Sequence, residues 1–214
     1  MIDKKDFLQT YIQIESQVFV RADKIKRHKS LIDSLSVGES AFSFLDIVYI
    51  LNSLSENNIT ISRPLAERVV YPILRKETDA NNFDAIKLML MLYTKYGYSE
   101  KDKYTEKYLL ELGFVINPND KEFLILSEKL LSSYFEYTLH ELPHGILYGA
   151  DGATEAQCIE LLSLLDRYEI VCKNLQAEQK ALIDKCRYYY GAYKNYLPVY
   201  KEFCGFADFL KEQR

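Results

Sequence analysis

The chain has 214 residues, of which 48% are apolar and 27% charged, and it carries a net charge of −4. That balance excludes a disordered polar chain, and the length provides one substantial core or two small lobes sharing an interface. The N-terminal stretch MIDKKDFLQTY has no apolar centre and no small-residue cleavage site, and the longest greasy run, residues 88–93, is far too short to span a bilayer.

The expected compartment is cytoplasmic. Cys158, Cys172, Cys186 and Cys204 contain no C-x-x-C pair, so they read as buried thiols of a reducing compartment and not as a disulfide framework.

Helix signals dominate from the start. Phe7, Tyr11, Ile14, Val18, Ala22 and Ile25 recur at three- and four-residue steps and predict a first helix over residues 4–35, ended by Val37-Gly38. Ser40 can cap a second helix over 41–55, which Asn57-Asn58 breaks. Ser62 caps a third, with Pro64 tolerated in its first turn and Pro72 expected to kink or end it. A fourth helix runs over 82–96 and closes on Gly97. A fifth follows a Ser99 cap to Leu112, with Gly113 as its stop, and a sixth opens at Asn117-Pro118 and reaches Leu139.

Two longer patterns complete the chain. Residues 44–57 overlay on 83–96 at an offset of 39, with Phe44 on Phe83, Ile47 on Ile86, Leu51 on Leu90 and Leu54 on Tyr93, and Phe123 lies another 40 on. Such spacing suits HEAT-like stacked helical pairs, although any two amphipathic helices can be slid into it. From Cys158, alternating three- and four-residue steps visit Leu161, Leu165, Tyr168, Cys172 and Leu175, continue through Gln179, Leu182 and Cys186, and reach Tyr189, Tyr193 and Tyr196. This seam predicts one long helix over 154–197, or two helices broken near Asn174, and makes the three regularly spaced cysteines packing residues. Pro198 then starts a short terminal helix bearing Phe203, Phe206 and Leu210. Strand signals are thin. The expected class is all-α: an irregular bundle of about eight or nine helices, with HEAT-like pairing as a variant. It is read as one domain over 1–214, with 1–142 and 154–214 as candidate sub-lobes joined by the 143–153 loop.

One short motif carries chemistry. His140-Glu141-Leu142-Pro143-His144 matches H-E-x-x-H, and over these five residues the chain resembles the zinc peptidases, in which both histidines face one metal from a single helix and the glutamate deprotonates its water. Pro143 works against that geometry, because its ring clashes with the carbonyl of Leu139 and it pushes Leu142 towards extended backbone. The helix is expected to end near Glu141, with His140 in its last turn and His144 beyond it. The only other histidine is His28, so no third ligand is evident. A zinc-dependent hydrolase using His140, Glu141 and His144 is therefore the alternative reading, and neither metal nor cofactor is expected. There is no P-loop, no G-x-G-x-x-G and no G-x-S-x-G.

Charge distribution supports the leading reading. Between residues 136 and 170, Glu136, Glu141, Asp151, Glu155, Glu160, Asp166 and Glu169 face Arg167 alone, so this segment carries −6 and the other residues +2. Residues 21–29 hold a local +4, which reads as a solvated helix face, since a nucleic-acid binder would show a basic footprint over a domain. The glycine-rich stretch PHGILYGADGAT sits in the acidic segment and offers Ile146, Leu147 and Tyr148 as exposed groups. The dense tyrosines at 188–200 lie half on the seam and read mainly as core. The expectation is a non-enzymatic protein-binding chain, most concretely a cytoplasmic immunity-type inhibitor of a basic, nuclease-like toxin, with Tyr148, Asp151, Glu155 and Glu160 at the interface. Neither a nucleic-acid nor a membrane partner is expected, and a helical-repeat scaffold is the third reading.

Overall fold

The computed structural model describes residues 4–35, 42–96 and 103–213, and apart from one two-stranded hairpin their regular structure is helical. The all-α, multi-helix class is the one expected. The chain forms two compact units, Met1–Pro118 and Asn119–Arg214. The division falls before the sixth expected helix and not at the 143–153 loop, because that helix packs on the helices that follow the loop.

In the first unit, α1 (Lys4–Gln17) buries Phe7, Leu8, Tyr11 and Ile14 at helical spacing. The single helix expected over 4–35 is in fact two. Val20 is extended (φ −79°, ψ 116°), and α2 (Arg21–Asp33) packs back on α1, burying His28 and Ile32 in place of Ala22 and Ile25. The reversal lets the Lys24 ammonium donate to the Glu15 carboxylate at 2.8 Å and to the Glu15 main-chain carbonyl at 3.0 Å.

Helix α3 (Phe44–Glu56) starts at Ser43, not Ser40, which lies outside the described residues together with Val37-Gly38. Ser43 and Asp46 form a reciprocal capping box. Hydrogen bonds from Lys4 and from Ser43 hold the Asp46 carboxyl down at about 2. Asn57 ends α3 and Asn58 takes φ 55°, as the Asn-Asn signal implied.

Helix α4 (Arg63–Leu65) leads into a π turn (Ala66–Val70) and then α5 (Tyr71–Asp79). Pro72 therefore does not end the helix. In a regular ladder its ring would clash with the Arg68 carbonyl; the wider turn, in which the Tyr71 N–H reaches the Ala66 carbonyl, absorbs the conflict. Helix α6 (Phe83–Tyr96) precedes α7 (Glu106–Ile116), which is capped by Thr105. Gly97 and the expected cap Ser99 lie outside the described residues. Gly113 is a buried interior position of α7, not its stop. The helix ends at Asn117 (φ −149°, ψ 79°), the residue that Pro118 forces out of helical geometry.

Helix α5 packs on both α3 and α6, and α6 packs on α7. Of the overlaid positions, Ile47, Ile86, Leu51, Leu90, Leu54 and Tyr93 are all buried. The pattern thus marks the inward face of each helix, while Phe123, the next step, belongs to the second unit.

In the second unit, Asp120 caps α8 (Lys121–Thr138). A hairpin of β1 (Leu147–Tyr148) and β2 (Asp151–Gly152) follows, then α9 (Glu155–Leu175), α10 (Lys180–Tyr196), a 3-10 turn (Leu197–Glu202) and α11 (Phe206–Glu212). Helix α9 packs on both α8 and α10. The long seam is split by Gln176, at φ 54°: its N–H reaches the Lys173 carbonyl and the Ala177 N–H reaches Cys172, the Schellman arrangement. The split changes the register of the second half. Cys158, Leu161, Leu165, Tyr168 and Cys172 are buried as expected, and so are Cys186 and Tyr193 in α10, where Ile183 and Tyr190 from beside the seam are buried in place of Leu182 and Tyr189, which flank them. Arg187 ties the two helices by donating to Asp166 at 2.8 Å and Glu169 at 2.7 Å. The terminal helix begins at Phe206, not Pro198, and buries Phe206 and Phe209 against Tyr193 and Tyr196. Among the described residues no helix is long and apolar enough to cross a membrane.

Candidate functional site

The candidate site is built where α8 ends, the hairpin turns and α9 begins. Helix α8 stops at Thr138, three residues before the expected end, and residues 139–144 form successive turns: Leu142 N–H donates to Leu139, and His144 N–H to Glu141 at 2.7 Å. His140 is therefore past the helix, not in its last turn. His140, Glu141 and His144 are all exposed, with the Leu142–Pro143 peptide cis between the histidines. A zinc site of the H-E-x-x-H kind needs one helix to aim both imidazoles at the metal, and that helix is missing here. Among the described residues no group of three His, Cys, Asp or Glu side chains is placed to hold a metal.

The glycine-rich stretch is held down by tyrosines. Leu147 pairs with Gly152 and Tyr148 with Asp151. Gly149, at φ 64°, takes the first central position of the turn, where positive φ suits a tight hairpin. The Tyr137 hydroxyl from α8 donates to the Gly149 carbonyl at 2.8 Å. Gly145 and Gly152 lie against Tyr193 of α10: a Cβ at either would stand 3.3 Å or 3.4 Å from the phenol oxygen. Ile146, expected to be exposed, is fully buried, and its carbonyl accepts from the Ala153 N–H at 2.7 Å. Ile146 packs inward because the hairpin folds onto the helices instead of standing off them.

Of the four predicted interface residues, the structure joins two. Tyr148, half-buried, donates its phenol proton to the Glu160 carboxylate at 2.8 Å, a bond that raises the phenol pKa. Asp151 lies exposed on β2 and Glu155 exposed in the first turn of α9, whose start is fixed by a Thr154–Gln157 capping box. Neither forms an ion pair among the described residues, and the same is true of the exposed Glu136 and Glu141. Asp166 and Glu169 share one cation, Arg187.

Sequence reasoning missed the apolar part of this surface. Ile159 is 54% exposed and Ile170 is 59% exposed. Eleven residues make three helical turns, so both side chains leave α9 in nearly one direction, in line with Glu155 and Asp166 and away from the buried Leu161–Leu165–Tyr168 face. The eleven-residue spacing was visible, but the buried seam on the opposite face supplied the stronger pattern.

Compared with protein-family models, curated proteins and solved structures, the chain matches none. Its function is therefore read from this surface alone: two exposed isoleucines with carboxylates around them and a rigid hairpin at one end. That arrangement can dock an apolar contact ringed by cations.

Proposed function

We infer that the chain is a non-enzymatic protein-binding protein that holds a cationic partner on the outer face of α9 and the adjoining hairpin. One observation carries this reading: α9 turns Ile159 and Ile170 outward on the flank where Glu155 lies without an ion-pair partner among the described residues. Apolar centres with polar rims are the usual anatomy of a protein interface, and the acids add steering for a positively charged partner. The loop's tyrosine anchors support it too, because a surface already ordered loses less entropy on binding. In its most concrete form this is an immunity-type inhibitor of a basic, nuclease-like toxin. Such an enzyme needs a cationic surface for phosphates, which an acidic inhibitor covers.

The test starts from the immobilised chain, used to capture a ligand from its native host, followed by association kinetics with that ligand. The association rate falls steeply with salt, since screening acts over about 10 Å at ordinary ionic strength. Asp151→Lys with Glu155→Lys slows association, while Ile159→Asp accelerates dissociation, and neither change moves the melting temperature much. A captured ligand whose rates ignore all three substitutions would end this assignment.

A further inference from the structure

The first unit carries a second unpartnered surface of different chemistry. At the elbow between α1 and α2, Phe19 is 91% exposed and Val20 60% exposed, and Ile25, one turn into α2, is 55% exposed. Arg21, Ile25 and Lys29 follow at four-residue steps along one flank of the helix, with Lys26 beside them. Arg21, Lys26 and Lys29 are exposed and form no ion pair among the described residues, whereas Lys24 is used by Glu15 and Arg68 by Asp33. This helix has two acids: Asp23 stands two residues before Ile25 and so on the side away from it, one turn before Lys26, and Asp33, one turn after Lys29, is already held by Arg68.

We propose that this elbow is a peripheral docking site for an anionic phospholipid surface. Phe19 and Val20 enter the boundary between headgroups and acyl chains, while Arg21, Lys26 and Lys29 lie on the lipid phosphates. Three features select a bilayer over other anionic partners. The apolar groups form a tip, and three side chains fall well short of the ~800 Å² per partner that a stable protein interface buries. Two of the three are aliphatic and cannot stack on bases, as a nucleic-acid surface would require. The pairing of a protruding aromatic with adjacent unneutralised cations is the combination that interfacial binding uses, each part being weak alone. The contact lies on the surface, as no described helix can cross a bilayer. It is independent of the acidic face of α9, which carries the opposite charge and sits in the other unit.

The chain contains no tryptophan, so a Phe19→Trp full-length variant places a single reporter at the tip. Mixed with vesicles of phosphatidylcholine containing about 30% phosphatidylserine, its emission shifts to the blue and is quenched by brominated acyl chains; with pure phosphatidylcholine it does not move. In flotation, wild-type binding to the anionic vesicles falls by about tenfold in a Lys26→Glu/Lys29→Glu variant and disappears at high salt. Circular dichroism and melting stay as in the wild type, because all the substituted positions are exposed. An unshifted emission, a shift of equal size on neutral vesicles, or unchanged flotation after charge reversal overturns the proposal. So does a short DNA or RNA that binds the elbow more tightly than the vesicles do, or a dimer in sedimentation that Phe19→Ser dissolves.

Discussion

The imidazole of His28 lies flat on the phenol ring of Tyr11, with centroids 4.3 Å apart and planes 3° from parallel. The stack locks α2 onto α1 and leaves His28 nearly without solvent. Its Nε2 is 3.4 Å from the Glu15 carboxylate but has no hydrogen-bond partner. Burial lowers the His28 pKa; Glu15 works against that shift and Lys24 adds to it.

A pH dependence follows from this stack. Unfolded, His28 takes up a proton near pH 6.5; folded, it does so only at lower pH. The unfolded chain thus binds more protons between these two values. Stability is complete above about pH 6.5 and declines as the pH drops through the interval towards the folded pKa. The melting temperature should fall between about pH 7.5 and 5.5, and His28→Phe, which keeps the ring stack but cannot charge, should flatten that slope. Parallel slopes in the two proteins would show that His28 is not the titrating group.

The thiols should divide three to one. Cys158, Cys172 and Cys186 are buried as expected, but Cys204, also expected to be buried, is exposed in the short segment before α11. Burial raises all three buried thiols and takes Cys158 to about 11, so little thiolate is present at neutral pH. A chromogenic disulfide reagent should titrate one thiol per chain quickly in the native protein and all four after denaturation. Fast reaction of more than one would mean the α9–α10 seam opens to solvent.

A buried hydrogen-bond chain should show unequal costs at its two ends. The Tyr190 phenol meets the Thr138 hydroxyl, which in turn donates to the Phe135 carbonyl at 2.8 Å. Tyr190→Phe removes one bond and leaves Thr138 satisfied, at a cost of about 1 kcal/mol. Thr138→Val takes the short hydroxyl partner away from a buried phenol, which keeps the Cys186 thiol as a weaker one, and should cost more, ~2 kcal/mol. Urea unfolding of both variants and of the double variant checks this, the double losing less than the two single losses combined.

Zinc should not bind stoichiometrically through the 140–144 segment, because these residues form turns and not one helix turn. Elemental analysis after chelator-free purification decides it. One tightly held zinc per chain, absent in His140→Ala, would bring the hydrolase reading back.

Local chemistry was legible wherever neighbouring residues decide conformation. The helical periodicity of Phe7–Ile14 and of Cys158–Cys172 and the Asn57-Asn58 stop all act within a few residues, and each is found in the structure; the two histidines of the 140–144 motif do lie off one helix, although α8 ends at Thr138 and not near Glu141. The tertiary structure decided the rest. Val18-Phe19-Val20 carries no glycine or proline, and the turn forms because it brings Tyr11 onto His28 and Lys24 onto Glu15. Gln176 takes a left-handed conformation that disfavours any Cβ, a cost offset by packing α10 along α9. The outward direction of Ile159 and Ile170 depends on the same packing. A helix with apolar residues on two faces can bury either, and only the positions of α8 and α10 determine which one remains exposed.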